Sequence, residues 1–173
     1  MSMPKLNQPF YDRDLYDGFE KYLESKGFKY IGSGCFRNAF QRGKVVVKIP
    51  RSYCGFEDNI GEAYAYNEYR KRPVARGTYY APCRLLSNGC LMMVYVEQGK
   101  WKIGNKPDWV KRIDSYQCGL FNGRVVAYDS GCDIGHLLTQ AKRWAGLDNQ
   151  TTSAGKRAAE FLAQEEYTLQ DDE

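Results

Sequence analysis

The feature that most constrains the fold is a series of strand-like runs joined by turns too short to contain a crossover helix. Glycine-bearing turns separate these runs at 32–34, 42–43, 87–89 and 122–123. Such turns are typical of β-hairpins, and Asn122-Gly123 is the strongest signal of this kind. Because parallel strands need connections of a dozen or more residues, the sequence predicts a mostly antiparallel sheet. The predicted strands lie at 28–31, 36–41, 44–49, 85–86, 91–96, 119–121 and 124–128.

Helical patterns precede and interrupt these strands. Residues 12–26 place four apolar side chains at three- and four-residue steps, and Gly27 follows as a stop signal. Further helices are predicted at 59–72, 108–113, 134–145 and 153–164. The order of elements predicts an α+β fold in one domain over residues 1–173. Within it we expect an N-terminal helix (1–27), a strand-rich part (28–97) and a largely helical remainder (98–173).

Composition argues against several classes of function. The net charge is +4 and the basic residues are scattered, so nucleic-acid binding is not expected. No run of about 18 apolar residues occurs, which predicts no membrane span, and the start of the chain lacks the apolar core of a secretory signal. We therefore expect a cytoplasmic protein. Six cysteines without a Cys-x-x-Cys pair, and a single histidine, favour reduced thiols over a zinc site.

One constellation carries the chemistry of phosphate binding. Gly32, Ser33 and Gly34 form a turn between two predicted strands, and Lys48 lies in the Val-rich strand that follows. Glycine lets backbone N–H groups approach phosphate oxygens, and a lysine on the next strand can reach the same oxygens as a point charge. A Gly-x-Gly turn alone is weak evidence, but this order and spacing predict a phosphate site.

These residues resemble the glycine-rich loop and strand lysine of protein kinases, whose pattern is Gly-x-Gly-x-x-Gly followed by Val-Ala-Ile-Lys. Arg37 stands in place of the third glycine and adds a positive charge near the phosphates. In kinases a glutamate on the next helix pairs with the lysine, and Glu62 matches that position. Asn59 and Glu62 also have the spacing of a helix capping box, and Glu68 is the alternative partner of the lysine.

The resemblance continues after this helix. Residues 82–97 are similar to the two strands that lead into the kinase hinge. This implies that Met93 lies behind the adenine ring and that the backbone of Val94 and Val96 bonds its edge. Residues 123–131 resemble the strand entering the Asp-Phe-Gly motif, which implies that Asp129 binds magnesium at the phosphates. The implied cofactors are ATP and Mg²⁺.

The catalytic loop departs from the kinase pattern. Gln117 stands where kinases place an asparagine that binds the second magnesium ion, and Arg112 stands where the catalytic aspartate belongs. Asp114 is the candidate replacement base, with Asp108 as the other nearby carboxylate. Only 19 residues separate Glu97 from Gln117, so the second lobe is expected to be much reduced and helical. In this the chain resembles small kinase-related proteins of lytic bacteriophages, which implies the host-cell cytoplasm as its location.

Three functions follow from this resemblance. The first is a kinase-fold nucleotide-binding protein with a degenerate catalytic loop, which binds and modulates a partner protein. The second is an active minimal kinase that transfers the ATP γ-phosphate to a protein substrate, with Asp114 or Asp108 as the base. The third is an interaction module without a nucleotide site.

Overall fold

The computed structural model describes residues 11–71, 78–98, 107–113, 116–130 and 137–147. Over these residues the protein is an α+β structure with three α-helices and a five-stranded antiparallel sheet. This confirms the predicted class and the antiparallel strand pairing. None of the helices in these ranges is long and apolar enough to cross a membrane. The helix predicted at 153–164 lies outside the described residues.

The five-stranded sheet contains all strands of the first half of the chain in the order β1-β2-β3-β5-β4. The strands are β1 (Lys29–Ser33), β2 (Arg37–Arg42), β3 (Val45–Pro50), β4 (Cys83–Leu85) and β5 (Leu91–Val94). The β2–β3 hairpin is in continuous register from Arg37 opposite Pro50 to Arg42 opposite Val45. The β1–β2 register shifts between Tyr30 and Gly32, where Gly32 has φ +148°. Glycine tolerates this backbone conformation, so the irregularity falls at the predicted turn.

The described residues form three α-helices: α1 (Arg13–Ser25), α2 (Tyr53–Lys71) and α3 (Leu138–Trp144). Asp12 caps α1, accepting a hydrogen bond from the Leu15 amide at 3.1 Å. The prediction of a second helix over 59–72 was wrong at its start, since α2 begins six residues earlier. Helix α2 packs against β3, β4 and α3.

A second sheet holds three short strands in the order β6-β7-β8: β6 (Glu97–Gln98), β7 (Cys118–Phe121) and β8 (Arg124–Ala127). Asn122 (φ 49°) and Gly123 (φ 74°) form the predicted turn between β7 and β8. Both positive φ values fit the type I′ geometry that Asn-Gly favours. The predicted short helix near 108–113 is a 3₁₀-helix over Asp108–Arg112.

The core buries both faces of β3. On one face Val47 and Ile49 pack in a cluster that includes Phe56 and Ile60 of α2. On the other face Val46 packs in a separate cluster with Met93, Val96 and Val126. Because strand side chains alternate, Lys48 shares the face of Val46. Lys48 is only 6% exposed, so it does not lie on an outward, solvated face of the strand.

Candidate functional site

The candidate site is a buried cluster of charges contributed by β2, β3, α2 and the residues after β8. Lys48 on β3 and Glu62 on α2 form an ion pair, with Nζ 3.0 Å from Oε2. The Lys48 Nζ also donates a hydrogen bond to the carbonyl of Tyr128 and lies 3.9 Å from Oδ2 of Asp129. The structure thus brings together three residues selected from the sequence, Lys48, Glu62 and Asp129.

Arg37 joins these residues as a second buried cation. Its Nη2 lies 2.9 Å from Oε1 of Glu62 and also donates to Oδ1 of Asp129. Its Nη1 donates to Oδ1 of Asn59 at 3.3 Å. The sequence analysis noted the positive charge of Arg37 but did not select it as a site residue. The available signal was that Arg37 stands where the kinase pattern has its third glycine.

Asn59 holds the cluster together from within α2. Its Nδ2 donates to the backbone carbonyls of Lys48 at 3.2 Å and Gly89 at 3.0 Å. Because α2 begins at Tyr53, Asn59 and Glu62 do not stand at a helix start and form no capping box. Glu62 instead uses Oε1 to accept the Ser130 amide at 3.2 Å. Sequence reasoning missed Asn59, although a fully buried asparagine three residues before Glu62 shares its helix face.

Burial and ion pairing set the protonation of these groups. Burial would raise the pKa of Glu62, but the charges of Arg37 and Lys48 outweigh it and lower the pKa from 4.5 to about 2. Burial raises the pKa of the Asp129 carboxyl, against the lowering effect of Lys48, and the charge of Glu62 adds to the rise. Burial also raises the pKa of the neighbouring Asp58. The side chain of Asp129 is 34% exposed and those of Arg37, Lys48 and Glu62 are below 10%, so Asp129 is the side of the cluster that solvent reaches.

The turn that was predicted to bind phosphate is the tight end of the β1–β2 hairpin. Ser33 pairs with Asn38 across it, and the Gly34 amide donates to the Arg37 carbonyl at 2.9 Å. The Gly34 carbonyl accepts from Nη1 of Arg51 at 3.2 Å. Gly34 therefore uses its amide within the turn, while Gly32 and Ser33 lie in β1. A phosphate at this turn would have to take the place of the Gly34 to Arg37 bond to reach that amide.

The residues predicted for adenine binding lie on or just after β5. Met93 is buried, opposite both Val46 and Cys83. The Val94 amide donates to the Pro82 carbonyl at 3.0 Å, so this amide is committed to the sheet. Val96 follows β5 and is 4% exposed.

The predicted magnesium ligands, Asp129 and Gln117, do not form an open metal site with their neighbours. The Gln117 carbonyl accepts the Tyr128 amide at 3.0 Å, which ties this residue to the chain just before Asp129. Glu62 has both oxygens engaged, and Asp129 is paired with Arg37. In the described part of the chain no group of three or more His, Cys, Asp or Glu residues could hold a metal ion. Since Mg²⁺ requires near-octahedral oxygen ligands, the arrangement does not fit the ion while Arg37 occupies it.

The predicted catalytic carboxylates are not part of the cluster in the described residues. Asp108 begins the 3₁₀-helix, is fully exposed and lies 3.7 Å from Nζ of Lys111. Arg112, which the sequence comparison aligned with the catalytic aspartate of kinases, donates to Oγ1 of Thr78 at 3.2 Å. Asp114 lies outside the described residues. Glu68 was the alternative partner of Lys48, and its Oε1 accepts from Asn67 at 3.5 Å.

No family model matches the chain, and none of the curated proteins is similar to it at a significant level.

Proposed function

We propose that the chain is a kinase-like nucleotide-binding protein with a degenerate catalytic loop, which acts by binding and modulating a partner protein. The observation that carries this proposal is the Lys48–Glu62 ion pair beside Asp129. Protein kinases use a strand lysine, a helix glutamate and an aspartate after a later hairpin in the same way, to hold nucleotide phosphates. Here the three residues come from β3, α2 and the segment after β8, which follow in that order along the chain.

The arrangement of elements supports the kinase-like part of the proposal. A five-stranded antiparallel sheet has the strand that bears Lys48 at its centre, and α2 connects this strand to β4. The chain then passes from β5 through β6 to the β7–β8 hairpin, directly before Asp129. Helix α2 packs on β3, and this contact places Glu62 against Lys48.

ATP is the ligand proposed for this site. Two buried cations, Lys48 and Arg37, adjoin the exposed edge of Asp129, and the hairpin end at Gly34 precedes Arg37 by three residues. A phosphate that reaches these cations would have to displace the Asp129 carboxylate, and it would then be held strongly because the local dielectric is low. Met93 and Val96 belong to an apolar cluster beside β3, and an adenine ring would have to enter between these buried side chains.

Two observations support a role in binding rather than phosphate transfer. Asp108, the described candidate for the base, is on the surface and paired with Lys111. The edge strand β1 exposes large apolar side chains, with Tyr30 53% and Ile31 49% exposed. Unpaired sheet edges with exposed apolar residues are typical protein-binding surfaces. We therefore propose a protein partner.

Thermal denaturation with ATP tests the nucleotide part of the proposal. ATP at a hundred times its dissociation constant stabilises a protein by about 2.7 kcal/mol. For a chain of this size that raises the melting temperature by about 5–10 °C. Lys48→Met should lose this shift, while Lys44→Ala, which alters an exposed lysine in the β2–β3 turn, should keep it. No shift for the folded wild-type protein, or an equal shift for Lys48→Met, would refute nucleotide binding at this site.

One observation favours a second candidate, an interaction module without a nucleotide site. Arg37 satisfies both carboxylates, and the amide of Gly34 is used within its own turn. Both carboxylates in direct contact with Arg37 are therefore paired without a ligand. Under this alternative the wild-type protein shows no thermal shift with ATP, whether or not magnesium is present.

A further inference from the structure

The guanidinium of Arg37 is bound to the carboxylate of Asp129, the predicted magnesium ligand. Its Nη2 contacts Oε1 of Glu62 at 2.9 Å and is paired with Oδ1 of Asp129. We infer that Arg37 is a tethered cation that replaces a divalent metal ion at Asp129, so that a phosphate ligand binds this site without a metal. The ligand part of this inference rests on the proposed function, while the exclusion of metal does not.

The four side chains in direct contact balance in charge. Arg37 and Lys48 carry two positive charges, and Glu62 and Asp129 carry two negative charges, with the carboxyl of Asp58 nearby. A divalent ion at Asp129 would therefore meet a carboxylate that is already paired with the Arg37 guanidinium. A divalent cation and the Arg37 guanidinium would repel each other strongly if both contacted the Asp129 carboxylate. Removing Arg37 would leave one lysine against two carboxylates, which favours a cation.

The backbone fixes Arg37 in this place. Arg37 lies opposite Pro50 at the end of the β2–β3 ladder. The preceding Phe36 carbonyl accepts the Arg51 amide at 2.7 Å and passes so close to Gly55 that a Cβ there would lie 2.1 Å from it. Asn59 accepts from the other guanidinium nitrogen at 3.3 Å. Arg37 is thus held through both Nη atoms of its planar guanidinium and through its main chain, which limits its movement away from Asp129.

Manganese titration followed by electron paramagnetic resonance tests the inference without any nucleotide. The wild-type protein should bind no Mn²⁺ in a manner that depends on Asp129, so wild type and Asp129→Asn should give the same titration. Arg37→Gly, which restores the third glycine of the kinase pattern, should gain one Mn²⁺ site. Any Mn²⁺ binding by the wild-type protein should be at least tenfold weaker than binding at this new site, and Arg37→Gly/Asp129→Asn should lose the site.

Arg37→Gln and Arg37→Lys complete the series. Arg37→Gln removes the charge but keeps a polar chain of similar reach, so it replaces Arg37→Gly if that variant does not fold. Arg37→Lys keeps the positive charge and should exclude Mn²⁺ like the wild-type protein. Asp129-dependent Mn²⁺ binding by the wild-type protein, or no gain by a folded Arg37→Gly or Arg37→Gln protein, would overturn the inference.

The nucleotide experiment separates this inference from the proposed function. With wild-type protein, the thermal shift from ATP should be the same in excess EDTA as in magnesium. A shift that appears only with magnesium overturns the inference and leaves nucleotide binding intact. No shift in either buffer, together with a gain of Mn²⁺ binding by Arg37→Gly, overturns nucleotide binding and leaves the metal-replacing role of Arg37 intact.

Discussion

Glu62→Gln removes the carboxylate on which both buried cations depend. Glu62 pairs with Lys48 at 3.0 Å and with Arg37 at 2.9 Å, and its side chain is 6% exposed. Removing one partner of a buried ion pair costs about 3–5 kcal/mol of unfolding free energy, because the remaining charge stays buried without its partner. The same contacts lower the pKa of Glu62 from 4.5 to about 2, which corresponds to about 3 kcal/mol. We expect the variant to lose about 3–5 kcal/mol of unfolding free energy at pH 7, a large part of the stability of a typical domain.

Urea denaturation of wild type, Glu62→Gln and Glu68→Gln measures this loss. Glu68 is the matched control because it is another glutamate on α2, partly buried, which lies outside the charge cluster. Its replacement should cost less than about 1 kcal/mol. A Glu62→Gln protein within 1 kcal/mol of wild type, or a larger loss for Glu68→Gln, would refute the assignment of Glu62 as the partner of Lys48.

The pH dependence of the same loss gives a second check. A carboxylate with a lowered folded pKa stabilises the folded state above its unfolded pKa, and this stabilisation disappears as the pH falls through the folded pKa. For Glu62 the window runs from about pH 4.5 down to about 2. The difference in stability between wild type and Glu62→Gln should therefore shrink across this window. The raised pKa values of Asp129 and Asp58 act in the opposite direction, and because the charge of Glu62 contributes to both rises, the rises are smaller in Glu62→Gln, which makes the shrinkage less than Glu62 alone would give.

Two further predictions concern the burial of the cysteines and the geometry of the β7–β8 turn. Thiol labelling of the native protein should modify the exposed Cys35 and Cys54 at least tenfold faster than Cys83 and Cys90. The reason is that burial raises the pKa of the Cys83 and Cys90 thiols. Equal labelling rates, measured by mass spectrometry, would contradict the packing around Cys83 and Cys90. Gly123→Ala should lower the unfolding free energy by about 1 kcal/mol because Gly123 has φ +74°. The control, Gly18→Ala within α1, should be neutral or stabilising. A loss of stability confined to Gly18→Ala would contradict the turn geometry.

Local signals predicted much of the sheet. The glycine-bearing turns at 42–43 and 122–123 allow only hairpin connections, and both hairpins are present. Strand β6 was missed because two residues carry no alternating pattern. The start of α2 was placed too late because Gly55 was assigned to a loop. The structure explains this glycine, since the Phe36 carbonyl lies where its Cβ would be.

The site was predictable only in part, and the reason is again physical. Lys48 and Glu62 belong to adjacent elements with a familiar order, and the structure joins them at 3.0 Å. Arg37 and Asp129 are 92 residues apart, and nothing in either neighbourhood shows that their side chains meet. The role of Asn59 depends on carbonyls of β3 and of the turn before β5, which no local pattern reveals. Long-range polar contacts of this kind require the three-dimensional structure.

Isothermal titration of ATP into the full chain, in excess EDTA, tests the central claim most directly. We predict a single site in the wild-type protein and an affinity at least tenfold weaker in Lys48→Met, with Lys44→Ala unchanged. Absence of binding to folded wild-type protein at millimolar ATP, in EDTA and in magnesium alike, would contradict the claim that this buried cluster holds a nucleotide.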